Sequence, residues 1–149
     1  MNLRLTPALI LVLLLAMLPA LAPAAHAAGP SKSECALAGI RNPAQLESFL
    51  NKLRQAVAAG DKAAVAALAD YPLQVNPEGD TLSIESKDDF IGQYDAIMTP
   101  KVREAALGQK LDGIFINKRG VMLTDSDGDQ RLLLLGDGKT ITITTIINN

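Results

Sequence analysis

The chain of 149 residues predicts an α+β fold, on three observations. Apolar residues recur at helical spacing from Asn42 to Ala69. From Gly113 onward they alternate in short runs divided by turn residues. Between these halves, Tyr71 to Met98 reads as strand, turn, strand and capped helix. A hairpin that feeds an amphipathic helix implies that the helix lays its apolar stripe on the sheet.

Taken in order, residues 1–27 have the build of a signal peptide. Arg4 is a short basic start, Ala8 to Leu18 an unbroken apolar run, and Ala25-His26-Ala27 a cleavage site with the cut after Ala27. Pro19 and Pro23 interrupt the run, leaving too little to span a bilayer. Residues 28–42 are small and polar at first and read as a linker or irregular arm. Residues 43–149 form the single domain. Asn42 caps a helix that opens on Pro43, and Leu46, Phe49, Leu50, Leu53 and Val57 form its apolar stripe. Gly60 stops it. Asp61 caps a second helix, Lys62 to Ala69, whose alanines permit close approach to a neighbour. Pro72 ends any helical continuation.

Leu73 and Val75 alternate with Gln74 and Asn76, Pro77-Glu78-Gly79-Asp80 supplies a turn, and Leu82 and Ile84 return on the same face. Ser86 then caps a helix with Asp88 and Asp89 in its first turn and Phe90, Ile91, Tyr94, Ile97 and Met98 along one stripe. Thr99-Pro100 opens a short helix through Leu107, with Thr99 as its cap. Four strands follow, around Ile114–Ile116, Val121–Leu123, Arg131–Leu135 and Lys139–Ile147. In the last, the alternation slips at Thr144–Thr145, which predicts a β-bulge. The sum is one curved antiparallel sheet of about six strands, with about three main helices on its concave face.

That order resembles the NTF2-like (cystatin-like) cone. The residues are similar to a group of small secreted bacterial proteins of that fold. The resemblance rests on Tyr71-Pro72-Leu73 with Val75-Asn76, and on Ser86-Lys87 with Phe90-Ile91, Tyr94-Asp95 and Ile97. It continues through Thr99-Pro100-Lys101-Val102, Phe115, Asn117 and Gly120-Val121-Met122. It covers the chain from about Leu46 onward. The group has no assigned activity. After the Gly-Val-Met segment the group usually has a Gly-x-Gly turn followed by a Trp-Phe strand, whereas this chain has no tryptophan and carries Leu132–Leu135 before Gly136-Asp137-Gly138.

The chemistry is sparse. His26 is the sole histidine and leaves with the signal peptide, which removes Ser-His and Cys-His catalysis and histidine metal sites from the mature chain. Thirteen basic residues would then face sixteen acidic ones with no basic cluster, a poor nucleic-acid binder. Cys35 has no second cysteine to pair with inside the chain, so it is a free thiol or an intermolecular partner, at an N-terminus expected to be loose. Asp125, Asp127 and Asp129 have the spacing of a calcium loop, but the glycine is misplaced and no twelfth-position glutamate closes it. A hairpin turn is the favoured reading and calcium the weak alternative. No cofactor motif is found.

Enzymes of the NTF2-like family use Asp, His or Tyr in the mouth of the cone, so the resemblance makes Tyr71, Tyr94 and Asp95 weak pocket candidates. A desolvated Asp95 could act as base beside a tyrosine hydroxyl. Against this, neighbouring residues on a helix do not face each other. The leading expectation is therefore an exported periplasmic or secreted module, free of the membrane once cleaved and without catalytic activity. It would bind an envelope protein or small molecule, an inhibitor or immunity role being one version. The alternative is a lyase or isomerase acting in the cone. Four consecutive leucines, Leu132–Leu135, cannot all face one core, which suggests a homodimer through the outer sheet face.

Overall fold

The computed structural model describes residues 28–76 and 80–149. The expected signal peptide, and Pro77, Glu78 and Gly79 of the expected turn, lie outside the described residues. The architecture is α+β, with a six-stranded, mostly antiparallel sheet and several helices.

The first element corrects the expectation of an irregular arm. Lys32–Leu37 is a helix, α1, nucleated by a reciprocal capping box. Ser31 Oγ accepts from Glu34 N–H at 3.2 Å, and Glu34 Oε2 accepts from Ser31 N–H at 2.7 Å. Six residues cannot hold a helix alone. Burial of Cys35, Ala38 and Ile40 holds this one.

Pro43–Ala58 (α2) follows, with Asn42 Oδ1 accepting from Gln45 N–H at 2.9 Å. Its predicted stripe, Leu46, Phe49, Leu50, Leu53 and Val57, is buried throughout. Lys62–Ala66 (α3) is shorter than predicted, because Leu68 C=O already accepts from Ile143 N–H and Ala69 has entered the sheet. The strand Ala69–Asn76 (β1) thus includes Pro72, which cannot donate to a ladder. The pairing of β1 shifts register between Ala69 and Gln74, around that gap.

Leu82–Ile84 (β2) closes the hairpin with Leu73 opposite Ile84. The predicted single helix after it is two: Lys87–Gly92 (α4) and Tyr94–Ile97 (α5), broken at Gly92–Gln93. Glycine is the costliest residue after proline inside a helix. The stripe survives the break, since Phe90, Tyr94, Ile97 and Met98 are all buried. Pro100–Gly108 (α6) follows Thr99, whose side chain makes no capping bond.

Phe115–Asn117 (β3), Gly120–Thr124 (β4), Gln130–Gly136 (β5) and Ile141–Ile147 (β6) form the meander. The sheet order is β2-β1-β6-β5-β4-β3. The expectation of a wholly antiparallel sheet fails at one seam: β1 and β6 run parallel. A strand reached only after the helices and three further strands can dock in either sense, and here it joins the hairpin to the meander.

The bulge falls where the sequence places it. Leu133 pairs with Thr145 and Leu134 with Ile143, so Thr144 is the extra residue, and its hydroxyl donates to Leu133 C=O at 3.3 Å. On one face of the sheet Leu73, Val75, Val121, Leu123, Leu132, Leu134, Ile143 and Ile146 join the helical stripes in one core.

Candidate functional site

The three pocket candidates do not converge. Tyr94 is buried in the core with its ring edge-on to Phe90, centroids 5.8 Å apart. Its hydroxyl is buried without a hydrogen-bond partner among the described residues, and burial pushes its pKa up. Asp95 turns the other way, as neighbouring helix positions must. Its side chain is 72% exposed and accepts from Lys62 Nζ at 2.9 Å. That bond holds its carboxyl below the usual range, the reverse of what a general base in an apolar pocket requires. The Lys62 ammonium also lies over the Tyr94 ring, 5.3 Å from its centroid. The Tyr71 hydroxyl donates to Ala66 C=O at 2.9 Å, and burial raises its pKa to about 12. No carboxylate stands beside either hydroxyl among the described hydrogen bonds.

The aspartate cluster is a braced turn. Asp125 Oδ1 accepts from the N–H groups of Asp127 and Asp129, both at 3.0 Å, and its Oδ2 accepts from Arg131 Nε at 2.8 Å. Arg131 also donates to Asp129 Oδ2 at 3.2 Å and to Asn149, while Asp127 pairs with Lys101 of α6. Each carboxylate therefore already faces a cation or N–H groups. Among the described residues no three acidic, histidine or cysteine side chains are grouped to hold a metal ion.

Arg131 and Asp125 are buried, a 7% and a 0% exposed side chain respectively. Burial pushes the Asp125 carboxyl up, but the Arg131 guanidinium and the two N–H groups outweigh it and hold the pKa below the ordinary 3.8. A depressed folded-state pKa contributes stability that is present above the unfolded value and lost as pH falls through the folded one. Thermal melts should therefore be flat near neutrality and fall below about pH 4. Asp125→Asn should weaken that acid limb while lowering the melting temperature at pH 7, and an unaltered acid limb would count against the assignment.

Cys35 is fully buried, against the expectation of a loose N-terminus, and burial raises its thiol pKa. A disulfide to a second chain would require α1 to leave the core.

Two surfaces stand apart from these candidates, and the sequence foreshadows only the first. The first is a cross-strand row on the face away from the core: Ser83, Gln74, Thr145, Leu133, Met122 and Phe115, one residue from each strand in sheet order. It carries no charge. Phe115 is 58% exposed, and Met122, Leu133 and Leu135 are half-buried. The doubled apolarity of the leucine run is its only trace in the sequence.

The second feature is a groove beside α2. One depression of about 280 Å³ is lined by Phe49, Lys52, Leu68, Lys139, Thr140 and Ile141, among others. Another of about 430 Å³ is lined by alanines of α2 and α3. They share Lys52 and Leu68, so they adjoin. The alanines predicted to admit a close neighbour do so at buried Ala66, whereas Ala64 and Ala67 leave the groove open. Comparison with protein-family models, curated proteins and solved structures finds no match to the chain.

Proposed function

We propose that the chain is an exported, periplasmic or secreted binding and protein-interaction module of NTF2-like type that works without catalysis. Its contact surface is the helix-free face of the sheet, and its first partner is a second copy of itself. The observation that carries this reading is the uncharged row Ser83–Gln74–Thr145–Leu133–Met122–Phe115. A solvated antiparallel sheet ordinarily alternates apolar with polar and charged residues. Here the outward positions of β3, β4 and β5 instead supply Phe115, Met122, Leu133 and Leu135, and β6 adds Thr142, Thr144 and Thr145.

Six strands spaced ~4.8 Å apart, over some 20 Å of strand, give a footprint of roughly 500–600 Å² per copy. Two such faces come to roughly the ~1,000 Å² at which specific interfaces begin. The dimer should therefore be reversible. Sedimentation should show association at about tens of micromolar, and Leu133→Lys should abolish it by placing a charge at the centre of the row. A strict monomer over that range, or association indifferent to Leu133→Lys, would overturn the reading.

Strand order supports the NTF2-like kinship, with the hairpin joined to the meander through β6 and the core helices on one side. A full cone asks for more curl than this sheet carries. The export proposal rests on the pattern of residues 1–27, and among the described residues no helix is long and apolar enough to cross a membrane. An envelope enzyme as partner, with this chain as inhibitor or immunity protein, is compatible with the same face.

A further inference from the structure

The groove beside α2 is lined by none of the residues of the proposed dimer row and has a division of its own. At one end the floor is apolar, built from Phe49, Leu68 and Ile141, while Lys52, Lys139 and Thr140 stand around it. No carboxylate lines this end. The nearest acid in sequence, Asp137, has its Oδ1 turned into its own loop, accepting from Lys139 N–H and Thr140 N–H at 2.7 Å each. Among the described residues neither the Lys52 nor the Lys139 ammonium has an ion pair. Lys32, Lys87, Lys110 and Lys118 are likewise without an ion pair among the described residues, but only Lys52 and Lys139 line this groove.

Beyond Lys52 the groove loses its cations. Ala56, Ala59, Ala64, Ala67 and Leu68 form an open, mostly apolar depression of about 430 Å³, with Gln55 and Asp61 at its rim. That volume falls within the ~300–1,000 Å³ usual for small-molecule sites. From Gln45 to Ala59 the groove follows α2 for about 20 Å at 1.5 Å per residue. The walls are positioned by the fold rather than by loops. The Gln45 side chain donates to Lys139 C=O at 2.8 Å and Arg41 to Gly138 C=O at 2.9 Å, which fasten α2 to the β5–β6 turn that carries Lys139.

Two unpaired ammonium groups at one end of an open apolar groove match one chemistry. We infer that this groove binds an amphiphile with a single anionic head, carboxylate or phosphate monoester, and an unbranched hydrocarbon tail. The head sits between Lys52 and Lys139, and the tail lies along the alanines toward Ala59 and Ala67. The aspartate at the far end, Asp61, is occupied in capping α3 through Ala64 N–H at 2.9 Å and is remote from the head in this orientation. A neutral head would gain nothing from the two exposed ammonium groups, and a cationic head would be repelled by them.

The test is calorimetric titration of the protein, as recovered from expressing cells, with dodecanoate, dodecyl phosphate and dodecanol below their aggregation limits. Both anions should bind saturably and the alcohol about tenfold more weakly. A tail half-covered by the trough should tighten binding about fourfold for each two methylenes added. Lys52→Ala with Lys139→Ala should weaken the anions by about tenfold, as two exposed pairs would. Filling the trough at its exposed positions, Ala59→Leu with Ala67→Leu, should weaken the twelve-carbon ligands severalfold without lowering the melting temperature. Leu133→Lys should change nothing here, so this inference and the proposed dimer fail separately. A preference for either anion upholds the site and identifies its head group. Equal affinity for the alcohol, or anion binding that survives both paired substitutions, overturns it.

Discussion

Gly39→Ala should lower the free energy of unfolding by about 3–4 kcal/mol, a large part of the ~5–15 kcal/mol available to a domain of this kind. Gly39 has φ of 71°, in the left-handed region. There a side chain costs about 1 kcal/mol or somewhat more. The larger share is spatial. A Cβ at Gly39 would collide with the backbone carbonyl of Gly136, and one at Gly136 would collide with that of Gly39. The two backbones lie together because Gly136 N–H donates to Ala38 C=O and Gly138 N–H to Gly39 C=O, both at 2.8 Å. These bonds fasten α1 and its following turn to the end of β5, each worth about 1 kcal/mol net. Gly60→Ala is the matched control. Its φ is 64°, yet nothing lies within 4 Å of the added carbon. It should cost only about 1 kcal/mol. Equal effects in urea unfolding would show that the Gly39–Gly136 contact does not hold the N-terminal helix.

A second large difference should separate adjacent leucines. Leu132→Ala and Leu134→Ala should each cost about 3–4 kcal/mol, because both side chains are fully buried. Leu133→Ala and Leu135→Ala, half-exposed on the opposite face, should each cost about 1 kcal/mol or less in the monomer. Urea titrations at a concentration below dimerisation measure all four. Four similar values would mean that the strand does not alternate between two environments.

These leucines also show what a sequence can and cannot convey here. Period-two alternation is local, so the two faces of β5, the bulge at Thr144 and the caps at Asn42, Asp61 and Ser86 were all readable from neighbouring residues. The capping box Ser31–Glu34 was equally local, and the signal for α1 stood in plain view within a stretch whose small and polar start read as a linker or irregular arm. Other features depend on residues far apart in the chain. The parallel seam of β1 with β6 is one, and the end of α3 is another, because Ile143 sets it through Leu68. For the candidate sites the limit is sharper. Tyr94 could be assigned to the core and Asp95 to the surface from helical spacing alone. Nothing in the spacing of Lys52 and Lys139 announces that they share a groove, since one stands on α2 and the other on the β5–β6 turn.

The position of β6 between β1 and β5 governs when the molecule can become itself. Synthesis makes this strand after every other strand in the sheet, and among the described strand pairings it alone links the hairpin to the meander. A nascent chain lacking residues 141–147 holds two separate ribbons, the smaller of which is too slight to persist in water. Closing the seam between Ala69 and Ile143 is also a long-range event, of the kind that slows folding. For a polypeptide threaded through a translocon as proposed above, that delay is useful. An exported chain would stay loose enough to be passed across and would lock only when its keystone arrived on the far side.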